Sequence, residues 1–170
     1  MVMADRVCIV SGGNSGIGFE LCRGMADAGF HVVMVSRGAE RGQPALEKLQ
    51  AEFGDSVEMM LCDMSDLDNI SKLHAEFTIK FDRLDVLLNN AGAMWGRREE
   101  TAQGHEMTFG VNHLGYFVMA QTFLPLLKAT EGSRIINTAS EAHRMANLKL
   151  KNPNWENKYY SQWRTYGNSK

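Results

Sequence analysis

The sequence predicts an α/β fold in which a doubly wound parallel sheet lies between two layers of helices. Short β-branched apolar runs alternate strictly with helical patterns along the chain. These runs are continuously apolar, as expected of strands that helices cover on both faces. The 170 residues are 44% hydrophobic and 22% charged, which is typical of a single globular domain.

The five predicted strands are the runs richest in aliphatic and β-branched residues. The first run, RVCIVS, ends at a cluster of glycines, and the second run, FHVVMVS, follows a helix stop signal at Gly29. The fifth run ends two residues before Ser140. In chain order, the predicted strands cover residues 6–11, 30–36, 57–62, 84–88 and 134–138.

Helical spacing fills the intervals between these strands. Leu21 and Met25 lie four residues apart on one helix face. Ser65 followed by Asp68 is a capping pattern that predicts the start of a later helix. The predicted helices cover residues 17–28, 39–53, 65–81 and 104–128.

This order of elements predicts a Rossmann-type sheet with strand order 3-2-1-4-5, because parallel crossovers are right-handed. We expect one domain over residues 1–170. Residues 141–154 are expected to form a loop, and a last helix is expected to begin near Trp155. Ligands of such sheets bind at the carboxyl ends of the strands, so motifs at those ends are the candidate site.

Charge and hydropathy argue against several classes of protein. The net charge of −2, from 18 basic and 20 acidic residues, leaves no electrostatic footprint for nucleic acid or an anionic membrane. The longest uncharged apolar stretch, residues 116–127, is too short to span a bilayer. No secretory signal precedes the first strand, so a cytoplasmic location is expected. Cys8, Cys22 and Cys62 form no CxxC pair, which favours reduced core thiols over disulfides or a metal site.

A glycine-rich turn follows the first strand and opens the first helix. Glycines permit the tight turn and let a pyrophosphate approach the backbone, and the helix start supplies free N–H groups. This position predicts a dinucleotide site, although the glycines read GxxxGxG and an ordinary strand-to-helix turn is the alternative. The residues assigned to cofactor binding here are Ser11, Gly12, Asn14, Ser15, Gly16, Ile17 and Gly18.

The end of the second strand bears on the choice of cofactor. An acidic residue there would bind a ribose 2′-hydroxyl and select NAD, whereas this chain has Ser36 and Arg37. A guanidinium can pair with a 2′-phosphate, so we expect NADP(H) in preference to NAD(H). A solvated loop arginine is the alternative.

Two further strand ends contribute candidate cofactor contacts. Asp63 and Met64 follow the third strand, where an adenine ring would lie, although Asp63 could equally cap the next helix. Asn90, Ala91 and Gly92 follow the fourth strand, and small residues there let a cofactor approach the backbone. A plain turn is the alternative for this second segment.

The last segment carries candidates for acid–base chemistry. Tyr166 and Lys170 are four residues apart on the predicted last helix and share one face. A nearby ammonium lowers the pKa of a phenol, although a YxxxK match alone occurs often by chance. Ser140 follows the fifth strand and could hydrogen-bond a carbonyl. Asn112 lies among apolar residues of the long helix, with a solvent-facing or locally bonded residue as the alternative.

Together these motifs resemble the short-chain dehydrogenase/reductase family over essentially the whole chain. SGGNSGIG is similar to the family's TGxxxGIG, and NNAG, VNHLG, RIINTAS and TYGNSK are similar to its later motifs. The resemblance implies hydride transfer between a nicotinamide and a carbonyl or alcohol carbon. It implies that Tyr166 exchanges the proton, Ser140 holds the substrate oxygen, Lys170 binds the nicotinamide ribose and supports Tyr166, and Asn112 supports a water relay. Tyr166 and Lys170 are therefore assigned to both catalysis and cofactor binding.

The 25 residues between Ser140 and Tyr166, with Ser140-Glu141-Ala142-His143, resemble the retinol-dehydrogenase-like branch. This implies a lipophilic ketone, aldehyde or alcohol as substrate. The family also implies a homo-oligomer paired through its long crossover helices.

The chain ends at Lys170, where the family continues with a further strand and a substrate-binding lobe. We therefore expect a C-terminally incomplete domain from a truncated form. A non-catalytic, dinucleotide-binding or dimerising isoform is one alternative. Another Rossmann-type enzyme, such as a methyltransferase, is disfavoured because no acid follows the second strand.

Overall fold

The fold is organised around a five-stranded parallel sheet of order β3-β2-β1-β4-β5. A computed structural model of the chain describes residues 6–147, 153–156 and 159–170. The predicted α/β class and strand order are both confirmed. The strands are β1 (Val7–Ser11), β2 (His31–Ser36), β3 (Val57–Leu61), β4 (Val86–Asn89) and β5 (Arg134–Asn137).

Helices connect successive strands and lie on both faces of the sheet. The first helix ends shortly before Gly29, and the second ends directly before Gly54, close to the predicted ends of both helices. Single 3-10 turns cover Gly54–Ser56 and Glu141–Met145. The α-helices are α1 (Gly16–Asp27), α2 (Ala39–Phe53), α3 (Asp68–Lys80), α4 (Met107–Phe109), α5 (Gly115–Ala129) and α6 (Gln162–Ser169).

Two hydrophobic cores cover the two faces of the sheet from β3 to β4, whereas all four residues of the edge strand β5 are exposed, contrary to the expectation that helices cover every strand. Successive side chains of β1 alternate between them: Val7 and Ile9 join one core, and Cys8 and Val10 join the other. Helices α3 and α5 complete the first core, while α1 and α2 complete the second. Continuous apolar strands are therefore required, because both faces of each central strand are buried.

The long predicted helix over residues 104–128 is three consecutive segments rather than one. Helix α4 begins at Met107, where the buried Glu106 side chain accepts hydrogen bonds from the N–H groups of Thr108 and Phe109. A π-helical turn, Gly110–Leu114, then joins α4 to α5. Such turns insert an extra residue into a helix and often occur at functional sites.

The prediction of a last helix from near Trp155 was wrong, since α6 begins at Gln162. Trp155 has a φ of +56°, in the left-handed region, which cannot continue a right-handed helix. Part of the predicted segment, residues 157–158, lies outside the described residues. The predicted loop over 141–154 instead opens with the 3-10 turn at Glu141–Met145, and residues 148–152 lie outside the described residues.

The predicted helix start at Ser65 was also wrong, since α3 begins at Asp68. Oδ1 of Asp63 accepts hydrogen bonds from both the backbone N–H and the hydroxyl of Ser65, at 2.9 and 2.7 Å. Ser65 is therefore held in a preceding turn. Oδ1 of Asp66 accepts the backbone N–H of Asp68 at 3.1 Å instead.

All three cysteines are free and buried. Burial raises the pKa of Cys8, and it raises the pKa values of Cys22 and Cys62 to about 12, so these thiols stay protonated near neutrality. In the described part of the chain, no helix is both long and apolar enough to cross a membrane.

The first core depends on a cluster of aromatic rings around Phe77, which is fully buried. Its ring centroid lies 4.9 Å from that of Phe81 and 5.5 Å from that of Phe123. We expect Phe77→Ala to lower the free energy of unfolding by about 3–5 kcal/mol, through lost burial and a cavity. Ile79→Ala, in the same helix as Phe77, is the control, because Ile79 is 79% exposed; we expect a change within about 0.5 kcal/mol. Urea denaturation measures both, and equal losses would show that the core does not depend on Phe77.

Candidate functional site

The carboxyl ends of the strands enclose a cleft of about 670 Å³. This is the size range of cofactor and small-molecule sites. Most of the predicted cofactor residues line it, together with Tyr166 and Lys170. The full lining comprises Gly12, Asn14, Ser15, Ile17, Gly18, Val35, Ser36, Arg37, Arg41, Cys62, Asp63, Met64, Ser65, Asn90, Ala91, Gly92, Ala93, Met94, Trp95, Val111, Thr138, Tyr166 and Lys170.

Ser11 ties the turn after β1 to the turn after β4. Its side chain is fully buried, and its Oγ accepts hydrogen bonds from the N–H groups of Asn90 and Ala91 at 2.9 and 3.0 Å. The Asn90 side-chain amide donates in turn to the carbonyl of Ser11 at 3.1 Å. Ser11 thus lies behind the cleft rather than lining it, and it fixes the distance between two of its walls.

Gly18 lets the first turn of α1 pack against the glycine turn. A Cβ at this position would overlap the carbonyl oxygen of Gly12 and lie 2.6 Å from Nδ2 of Asn90. The neighbouring strand β2 also holds the turn, because the carbonyl of Val35 accepts hydrogen bonds from the N–H groups of Gly12 and Gly13. Gly16 starts α1 with a φ of +53° but does not line the cleft.

The end of β2 supplies two cations to the cleft. Arg37, predicted from the sequence, and Arg41, which sequence reasoning missed, both line it. Arg41 lies near the start of α2, and its closeness in sequence to Arg37 was the signal available. Asp63, which follows β3, also lines the cleft. The alternative interpretation of Asp63 as the cap of the next helix was wrong, because α3 begins only at Asp68 and Asp63 holds the preceding turn at Ser65.

Asn112 is a buried bridge rather than a solvent-facing helix residue. It lies in the π-helical turn and is 1% exposed. Its Oδ1 accepts the N–H of Ala93 at 3.0 Å, and its Nδ2 donates to the carbonyl of Ala93 at 2.9 Å and to the hydroxyl of Ser169 at 3.0 Å. Asn112 therefore joins the segment after β4 to helix α6, behind the cleft.

Tyr166 and Lys170, at the end of α6, reach the same cleft. The ammonium of Lys170 donates hydrogen bonds to the carbonyl of Thr138 and to the hydroxyl of Tyr116, both at 3.1 Å. Burial lowers the pKa of Lys170. The arrangement thus brings a phenol and a partly desolvated ammonium into the cleft near the end of β5. The arginines follow β2, and strands β1 and β4 lie between β2 and β5 in the sheet.

Ser140 is placed beside this region but is not among the residues that line the cleft. Its Oγ accepts the N–H of Ala142 at 3.2 Å and so caps the 3-10 turn. That turn packs on α6 so closely that a Cβ at Gly167 would lie 2.6 Å from the carbonyl oxygen of Ala142. Ser140 and Tyr166 therefore belong to one packed unit.

A buried carboxylate positions the segment that leads into α6. The hydroxyl of Tyr160 donates to Oε1 of Glu106 at 2.8 Å, and the side-chain oxygen of Asn154 accepts the N–H of Glu106 at 3.1 Å. Sequence reasoning missed these residues, because nothing in the local pattern joins positions about 50 apart. It also missed Met94 and Trp95, which line the cleft after β4.

A family model described as short chain dehydrogenase matches residues 6–152. Retinol dehydrogenase 11 of Mus musculus is 36% identical over 169 residues, which cover 99% of this chain and 53% of that protein. Human polyprenol dehydrogenase is 32% identical over 151 residues, covering 86% of this chain and 46% of that protein. The chain thus spans about half the length of these curated relatives.

Solved structures give the same assignment of fold. A crystal structure of an uncharacterized protein from Mycobacterium paratuberculosis has a TM-score of 0.85 and 32% identity, covering 98% of this chain and 58% of that chain. A Pseudomonas aeruginosa RhlG/NADP active-site complex has a TM-score of 0.76 and 29% identity, covering 98% of this chain and 62% of that chain.

Gly18 provides a direct test of the cleft. We expect Gly18→Ala to lower the affinity for a nicotinamide dinucleotide at least about tenfold, because the added methyl group displaces the glycine turn from α1. Fluorescence titration with NADPH measures the affinity. Gly24→Ala is the matched control, since a Cβ at that position of the same helix meets no described atom within 4 Å. Equal affinities of the two variants would place dinucleotide binding elsewhere.

Proposed function

The chain belongs to the short-chain dehydrogenase family, and on that premise we propose that it binds NADP(H) and supports hydride transfer between the nicotinamide and a lipophilic ketone, aldehyde or alcohol. The observation that carries this proposal is the shared cleft. Both the glycine turn and the pair Tyr166 and Lys170 line it. A dinucleotide-binding element and an acid–base pair in one cavity are what this reaction needs.

The residues present fit a dinucleotide. The start of α1 offers backbone N–H groups and a favourable helix dipole to a pyrophosphate. Asp63 and Met64 would flank the adenine, and Asn90, Ala91 and Gly92 would allow close approach to the backbone. Lys170 would bond the nicotinamide ribose. When bound, the cofactor supplies or accepts the hydride.

The side chains near the reacting carbon hold and move the proton. Tyr166 gives a proton to the carbonyl oxygen during reduction, or takes it from the hydroxyl during oxidation. Lys170 stabilises the ionised phenol through its charge. The hydroxyl of Ser140 orients the substrate oxygen in this scheme, and Asn112 holds α6 against the segment after β4. The chain thus contributes position and electrostatics.

Two arginines and the absence of an acid after β2 support NADP(H) over NAD(H). Ser36 and Arg37 occupy the strand end where a carboxylate would select the 2′-hydroxyl. Arg37 and Arg41 can both bond a 2′-phosphate, and charge-assisted bonds of this kind are the stronger ones.

A lipophilic substrate is supported by the cleft wall and by the relatives. Met94 and Trp95 line the cleft after β4 and present apolar surface toward it. The names of the two relatives above refer to retinol and polyprenol, both alcohols of long apolar molecules. We extend from the family a homo-oligomer paired through α5, where Phe117 is exposed. The cytoplasmic location expected from the sequence is part of the proposal as well.

A dinucleotide-binding protein without turnover is the second candidate. The position of Ser140 favours it, because the hydroxyl of Ser140 bonds its own turn and does not line the cleft. The two candidates make opposite predictions for Tyr166.

We expect Tyr166→Phe to reduce the rate of carbonyl reduction about 10²- to 10⁴-fold, since general acid catalysis is lost. The assay follows NADPH consumption with retinaldehyde as the probe, and NADPH affinity should change little. Tyr159→Phe is the control, because Tyr159 is 91% exposed. Dinucleotide binding without turnover by the unaltered chain would support the second candidate. Failure to bind NADPH would contradict both.

We expect Arg37→Ala to weaken NADPH binding about tenfold and to leave NADH binding nearly unchanged, because only NADPH carries the 2′-phosphate. The double variant with Arg41→Ala should weaken NADPH binding further. Arg97→Ala is the control, since Arg97 is highly exposed and outside the cleft lining. Equal losses for NADH and NADPH in titration calorimetry would exclude a 2′-phosphate contact.

A further inference from the structure

The ammonium of Lys170 contacts the side chain of Tyr116, a residue of α5 that does not line the cleft. Nζ of Lys170 lies 3.1 Å from the hydroxyl oxygen of Tyr116 and 4.8 Å from its ring centroid. Both distances suit a favourable contact, a hydrogen bond in the first case and a cation–π interaction in the second. Tyr116 thus offers the ammonium an oxygen lone pair and an aromatic face.

Tyr116 is itself fixed in place. It is 7% exposed and follows the π-helical turn, which sets the phase of α5 relative to the cleft. The preceding Gly115 packs so closely on Met64 that a Cβ there would lie 2.9 Å from the Met64 methyl group. The hydroxyl of Tyr116 is therefore presented to Lys170 by a buried helix rather than by a mobile surface.

Tyr116 is a neutral hydrogen-bond partner for the ammonium of Lys170. Burial, with a smaller contribution from Tyr166, raises the pKa of Tyr116 far above its ordinary value. Tyr116 consequently stays a neutral phenol, while burial alone lowers the pKa of Lys170. The other titratable side chains described as lining this cleft are Arg37, Arg41, Cys62, Asp63 and Tyr166.

We propose that Tyr116 is a positioning residue for the active-site lysine, holding the Lys170 ammonium charged and oriented through its hydroxyl and ring. An ammonium has three N–H donors. Thr138, which lines the cleft, and Tyr116, which lies behind it, accept two of them, and the third is left for a group within the cleft. Without the hydroxyl of Tyr116, the half-buried ammonium loses one of these acceptors, and its charged form becomes less stable.

This inference rests on the proposed function only for the catalytic role of Lys170. The contact itself can be measured in the full chain without substrate or cofactor. Failure of the chain to bind NADPH would therefore count against the proposed function. An unchanged pKa of Lys170 in the Tyr116 variants would count against this inference.

The test is a titration of Lys170 by NMR in chain labelled with carbon-13 at lysine side chains, with Lys170→Met to assign the signal. We expect Tyr116→Phe, which keeps the ring, to lower the pKa of Lys170 by about one unit. Tyr116→Leu should lower it further, because the aromatic face is also lost. Tyr159→Phe, at an exposed tyrosine, should leave it unchanged. A purely structural role for Tyr116 predicts no change with Tyr116→Phe, and that result would overturn the proposal.

A reciprocal measurement covers the case in which the Tyr116 variants do not fold. The chain has four tyrosines, so Tyr→Phe variants at Tyr159, Tyr160 and Tyr166 assign three of the ring signals, and the fourth is that of Tyr116. We expect Lys170→Met to shift the ring-carbon signal of Tyr116 and to leave that of Tyr159 in place. A Tyr116 signal that does not respond to the loss of the ammonium would overturn the proposal.

Discussion

The cleft depends on the buried hydroxyl of Ser11, which joins the turns that leave β1 and β4. The sheet changes direction between these two strands, because the chain runs outward from β1 to β3 and then returns to β4 on the other side. The connections consequently diverge and leave a crevice at the carboxyl ends. Hydrogen bonds from Asn90 and Ala91 to Ser11 hold its two sides at a fixed separation. A buried hydroxyl with all its partners is stable there, whereas an unpaired one would be costly.

A second set of buried polar contacts brings the last helix to this crevice. Asn112 bonds both Ala93 and Ser169, and Glu106 accepts from Tyr160. Both contacts start from the long helical region between β4 and β5, near its π-helical turn. Asn112 lies within the π-helical turn, and its side chain is buried. Tyr166 and Lys170 are therefore positioned from the rear by Asn112 and Glu106, neither of which lines the cleft.

The charges along the cleft are uneven, and this suits an extended anionic ligand. Of the four charged side chains described in its lining, Arg37, Arg41 and Lys170 are cations and Asp63 is the single acid. The arginines are exposed and free to meet a phosphate, whereas Lys170 is half-buried and already supported. Exposed cations attract the ligand, and a buried cation exerts a stronger field on its neighbours. In the proposed function, the exposed positive charges thus serve cofactor binding, and the half-buried positive charge serves the chemistry.

The sequence by itself determined the fold class, the strand order and the segments that meet at the cleft. These features depend on local signals: apolar periodicity, a glycine turn between strand and helix, and the fixed handedness of crossovers. The start of α6, the start of α3, the bridge made by Asn112 and the contact of Tyr116 with Lys170 were decided only by the tertiary structure. In each case the deciding interaction is either a competing cap, such as Asp63 on Ser65, or a contact between residues far apart in the chain. Periodicity carries no information about such partners, because burial and hydrogen bonding at those positions depend on what the folded chain places against them.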